Sequence, residues 1–135
     1  MSPEIIRWFL AFVVFAHGVG HVMFMPVLTG ALRMQMSGHS WLLTDALGDG
    51  VVRIGASFAG AVVIAAFVGG AVALAFQLPM WRQLVIGGAI LSAALIVLMF
   101  DGVQTSGAVS ALAFDVVALG ALLVAQWPSQ SLIGS

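Results

Sequence analysis

The chain has 135 residues, 62% of them hydrophobic and 7% charged, with a net charge of −1 and no lysine, cysteine or tyrosine. Soluble domains carry about 25% charged residues, so this composition excludes an ordinary soluble globule. It also excludes a basic nucleic-acid surface, disulfide or thiolate chemistry, cysteine-ligated metal clusters and tyrosyl chemistry.

Apolar runs at residues 5–28, 51–76, 84–100 and 108–127 take up most of the sequence. A helix needs about 20 predominantly apolar residues to cross ~30 Å of hydrocarbon, and these runs meet or approach that length. The expected fold is an all-α, four-helix transmembrane bundle in up-down order, forming one membrane domain over residues 1–135. The first run exceeds a signal-peptide core and lacks an A-x-A site, so it reads as a retained helix. The second run carries Ser57, Ala61, Ala65, Gly69 and Ala73 at every fourth position. Such a stripe lets a neighbouring backbone approach closely, either within the bundle or on a second copy or partner subunit. Ala16 and Gly20, then Gly88 and Ser92, repeat the spacing in runs one and three.

The longest connection, residues 29–50, holds Arg33, His39, Asp45 and Asp49, with Ser40 placed to cap a short helix through Leu47. Pro79 ends the second span, and residues 101–107 form a polar turn. Trp8, Trp41, Trp81 and Trp127 fall near span ends and read as interfacial anchors. Arg7 and Arg82 lie on the side of the termini, and Arg33 and Arg53 on the other. The short loop holding Arg82 favours both termini on the cytoplasmic face of a bacterial membrane.

Ionisable residues inside a span demand an explanation, because a lone charge in hydrocarbon costs several kcal/mol. His17 and His21 stand four residues apart, one turn of helix, so their imidazoles share a face. Asp115 lies inside the fourth run. At 1.5 Å per residue, all three fall about 10–15 Å below the same membrane surface. Arg53 and Asp101 lie at the rim of that side, and His39 in the loop above.

Three readings of this cluster follow. It can be a polar clamp in which Asp115 bonds an imidazole and ties the fourth span to the first. It can be a substrate, quinone or proton site built from the same groups. It can hold a metal: two His and one carboxylate suit an iron facial triad or an open zinc site. Haem is less natural, since two imidazoles on one face cannot sandwich an iron. Met23, Met25, Met34 and Met36, with His21 and His39, form a soft-ligand set for Cu(I), although methionine is also a routine apolar filler. Arg53 is placed to snorkel to headgroups or to pair with Asp101 or Asp49.

The opening helix, Arg7-Trp8-Phe9-Leu10-Ala11-Phe12-Val13-Val14-Phe15-Ala16-His17-Gly18-Val19-Gly20-His21, resembles that of DoxX-like small membrane proteins. Those begin with an Arg-led apolar helix running into a His-Gly pair, and His21 stands where a Lys often follows. The resemblance implies a four-span membrane protein of the kind sometimes associated with oxidoreductase or quinone-linked complexes. From the residues themselves, the leading expectation is an accessory or structural membrane subunit. The rivals are a redox or ligand-binding protein and a dimeric proton-coupled transporter.

Overall fold

The computed structural model describes residues 2–24, 38–103 and 105–134. Helix α1 spans Pro3–Gly20, and one tighter turn follows at His21–Phe24. A single helical turn, α2, covers Thr44–Leu47 and leads into α3, Asp49–Ala75. Helix α4 runs Trp81–Leu98, a tight turn covers Phe100–Gly102, and α5 spans Thr105–Leu119 before a wider turn at Gly120–Val124. The short α6, Gln130–Ile133, closes the described chain. No strand occurs among the described residues. Pro3–Gly20, Asp49–Ala75, Trp81–Leu98 and Ser106–Val124 are each long and apolar enough to cross a membrane.

Local chemistry sets the ends of these helices. The Ser2 side chain accepts from the Ile5 N–H at 3.4 Å, proline occupies the first turn, and Glu4 sits at the positive end of the dipole. Pro79 is not what stops α3. Gln77 adopts a left-handed conformation (φ 58°), and the amides of Gln77 and Leu78 reach back to the carbonyls of Leu74 and Ala73 at 3.1 and 2.7 Å. That is a Schellman cap, complete before the proline arrives. The expected helix from Ser40 is also shorter than its signal. Ser40 Oγ accepts from Leu43 N–H at 3.3 Å, but the residues it caps form a turn and the helix begins only at Thr44.

The helices pack in sequence, α1 on α3, α3 on α4 and α4 on α5, while α6 returns to α1. Each neighbouring pair is antiparallel. Trp8 meets Phe76 while Gly18 meets Phe67, and Gly70 meets Val85 while Gly88 meets Ala66. Arg82 reaches Leu122 while Ser92 reaches Asp115. The core centres on Val63, Phe67, Leu74, Val85 and Ala89. Large apolar side chains such as Phe58, Phe76 and Val117 point outward, as helices surrounded by lipid require.

The close approaches use glycines in another register from the small-residue stripe. A Cβ on Gly18 would sit 2.6 Å from Phe67 Cβ, and one on Gly70 would sit 2.7 Å from Val85 Cγ2. Of the stripe, Ser57 and Ala73 are buried, but Ala61 and Ala65 are exposed, as are Ala16 and Gly20 in α1. Intrachain packing therefore does not account for the middle of the stripe. Trp81, expected at an interface, is buried in the core beside the termini-side turn.

Helices α1 and α5 make no extensive contact of their own. An apolar cleft of about 200 Å³ separates them, lined by Leu10, Val14, Trp81, Phe114, Ala118 and Leu122 among others. At the end near the termini it is bracketed by arginines. Arg82 donates to the carbonyls of Leu122, Gln126 and Pro128, and Arg7 donates to that of Ile133. Toward the opposite end it is lined by Phe114, whose ring stacks on His17.

Candidate functional site

Four side chains from three helices meet in the bundle interior. His17 comes from the last full turn of α1, and His21 follows as its C-terminal cap. Helical stagger brings His21 Nδ1 to 3.0 Å from the His17 carbonyl oxygen, so Nδ1–H donates there. That contact orients the ring and turns Nε2 toward α4, where it lies 2.7 Å from Ser92 Oγ. Ser92 Oγ in turn lies 2.5 Å from Asp115 Oδ2. The other carboxyl oxygen, Oδ1, is 3.1 Å from His17 Nε2. The path thus runs His17–Asp115–Ser92–His21 and returns through the α1 backbone. Ser92 and Asp115 are fully buried and His21 is 2% exposed.

Aromatic rings wall the network. Phe114 stacks on His17 with centroids 3.8 Å apart at 20°, and Phe67 meets His17 edge-on at 4.8 Å. The two imidazoles face each other edge to face at 4.7 Å. Bulky rings around polar groups exclude solvent and strengthen each hydrogen bond inside.

The structure brings together His17, His21 and Asp115, three of the residues the sequence singled out, and adds Ser92, which the sequence reading took for a packing residue. A hydroxyl in the middle of an apolar span, facing inward four residues from Gly88, was the available signal. Asp101 and Arg53 do not join the cluster. Asp101 accepts from His39 Nδ1 at 2.7 Å and from the Trp41 amide at 3.2 Å, whereas the sequence places Arg53 to snorkel to headgroups or to pair with Asp101 or Asp49. Ser40 Oγ donates to the Leu98 carbonyl and Trp41 Nε1 to that of Val97. These contacts staple residues 39–41 to the end of α4. Met25, Met34 and Met36, and the side chain of Met23, lie outside the described residues, as does Arg33.

The donor atoms of His17, His21 and Asp115 lie within 4.8 Å of one another. A tetrahedral ion with bonds near 2.1 Å needs its donors about 3.4 Å apart. His17 Nε2 and Asp115 Oδ1 meet that spacing at 3.1 Å, but the Ser92 hydroxyl is wedged between His21 Nε2 and the carboxyl group. The arrangement is a closed hydrogen-bonded network, and seating an ion would require Ser92 to leave it. No protein-family model, curated protein or solved structure matches the chain.

Proposed function

We propose that the protein is a small accessory or structural membrane subunit whose His17–Asp115–Ser92–His21 network locks the first span to the last. The observation that carries this reading is the gap between α1 and α5: helices with little packing of their own are joined by the 3.1 Å His17–Asp115 bond and the His17–Phe114 stack. Interhelical polar contacts hold membrane bundles where lipid offers no hydrophobic drive. The small face around Ala61 and Ala65, exposed in the single chain, supports association with a second copy or a partner subunit through α3. Arg7 and Arg82, both engaged at the terminal end, support a cytoplasmic location for the termini in a bacterial membrane. A DoxX-like affiliation rests on the Arg7–His21 segment.

The apolar cleft favours a second reading, in which a quinone or lipid tail occupies it and the head approaches His17, 11% exposed beside Phe114. One comparison separates the two. Thermal unfolding in mild detergent is measured for wild type, His17→Ala and Asp115→Ala, alongside mass spectrometry of solvent-extracted small molecules. The lock predicts a lower unfolding temperature in both variants and no stoichiometric organic ligand. Unchanged unfolding temperatures, with a quinone or lipid lost only from the variants, would replace the lock with the ligand site.

A further inference from the structure

A serine hydroxyl carries one hydrogen, and Ser92 Oγ has hydrogen-bond contacts on two sides, with His21 Nε2 at 2.7 Å and Asp115 Oδ2 at 2.5 Å. His21 Nδ1 faces a carbonyl oxygen, which can only accept, so Nδ1 bears a hydrogen. A neutral His21 then has no hydrogen on Nε2 and brings only a lone pair to its 2.7 Å contact with Ser92 Oγ. An ionised Asp115 presents another at Oδ2. Ser92 can satisfy one of these and leaves its own lone pair against the other. Moving the His21 hydrogen to Nε2 relieves Ser92 but sets Nδ1 against the His17 carbonyl. With ionised aspartate and neutral His21, one buried lone-pair clash persists in every arrangement, and a buried mismatch of this kind is costly.

One further proton removes it. In one form Asp115 Oδ2–H donates to Ser92 Oγ, and Ser92 O–H donates to His21 Nε2. In the other, His21 Nε2–H donates to Ser92 Oγ, and Ser92 O–H donates to the Asp115 carboxylate. Both forms hold the same number of hydrogens and the same net charge. They differ by a concerted shift of two protons through one hydroxyl. His17 Nε2–H donates to Oδ1 in both.

We propose that Asp115, Ser92 and His21 are a proton-holding relay, carrying one proton beyond the sum of ionised aspartate and neutral histidine and passing it through Ser92. The inference uses the geometry of the lock but does not depend on the subunit reading. Among the described residues the other ionisable group in contact is His17, whose Nε2–H already donates to Asp115 Oδ1, so a further proton on that ring leaves the mismatch at Ser92 in place. Helix α3 sets Phe67 against both imidazoles, and its Arg53 and Asp49 lie about 21 and about 27 Å further along that helix. Glu4 and Arg7 on α1, and Arg82 on α4, are each about 15 Å or more from the cluster along their helices. Helix α5 contributes Asp115 alone. A net-neutral cluster is also the form that hydrocarbon tolerates.

The test is infrared spectroscopy of the full chain in lipid nanodiscs at neutral pH, with ¹⁵N NMR of labelled histidine on the same sample. The relay predicts one of two signatures: a protonated-carboxyl stretch present in wild type and absent in Asp115→Asn, or a His21 ring carrying hydrogens on both nitrogens. Asp115→Asn supplies an amide N–H where the extra proton would sit. It should keep wild-type thermal stability, whereas Ser92→Ala should lose it. An Asp115 carboxylate together with a singly protonated His21 would overturn the proposal. So would elemental analysis of untagged protein finding one transition-metal ion per chain that disappears in Asp115→Asn. Because the wild-type spectra report the proton and the unfolding temperatures of His17→Ala and Asp115→Ala report the lock, failure of one is distinguishable from failure of the other.

Discussion

His17 engages two consecutive residues of α5 at once: its ring stacks on Phe114 at 3.8 Å while its Nε2 meets Asp115 Oδ1 at 3.1 Å. The two attachments lie at right angles, one through the face of the imidazole and one through its edge. They fix both the position and the rotation of α1 relative to α5. Truncating His17 removes both and strands a buried carboxyl oxygen. We expect His17→Ala to cost about 1–3 kcal/mol, the usual penalty for orphaning a buried polar group. Thermal or denaturant unfolding in mild detergent reads this directly.

Glycine substitutions in α1 separate close packing from helix propensity. Gly18→Ala forces a Cβ to 2.6 Å from Phe67 Cβ, and Phe67 is itself fully buried. It should destabilise the bundle by about 1–3 kcal/mol, as overpacking does. Gly20→Ala meets nothing within 4 Å and should be neutral or slightly stabilising. Comparing the two unfolding temperatures checks the α1–α3 register.

Arg82 satisfies three carbonyls around the turn that follows α5, at 3.3, 3.0 and 2.6 Å, and lies over the Trp81 ring at 5.2 Å. Arg82→Leu should release that turn while leaving the interior intact. Hydrogen exchange is expected to accelerate at residues 122–130 and to stay unchanged around Ser92. Equal exchange in both places would assign Arg82 no such role.

The His39–Asp101 pair offers the opposite case. Both side chains are more than 40% exposed, and exposed ion pairs contribute between about 0 and 1 kcal/mol. Asp101→Asn should therefore shift stability by less than about 1 kcal/mol, and by less still at high salt. A much larger loss in Asp101→Ala than in Asp101→Asn, which keeps an amide oxygen for the Trp41 N–H, would mean that this acceptor, rather than the charge, holds the loop.

The spans were legible in the sequence because unbroken apolar runs of that length have few other uses. The depth argument that grouped His17, His21 and Asp115 needed only a helical rise and a count of residues. Ser92 escaped because serine is common at small-residue helix faces, and spacing alone does not separate a packing hydroxyl from one with two hydrogen-bond neighbours. The register of close packing escaped for a related reason. Small residues recur in several frames along α1 and α3, and only the neighbour's shape selects Gly18 over Ala16 or Gly20. Charge left Asp101 as one candidate partner of Arg53, beside Asp49 and the headgroups, but the fold brings His39 and the Trp41 amide to it.

The most direct test of the account is a double-mutant cycle between His17→Ala and Asp115→Ala, read by reversible unfolding in mild detergent. If the pair joins α1 to α5, the two effects will couple by at least about 1 kcal/mol, so that the second substitution costs little once the first is made. Effects that add to within about 0.3–0.5 kcal/mol would mean that the two side chains stabilise their own helices independently, and would contradict the lock.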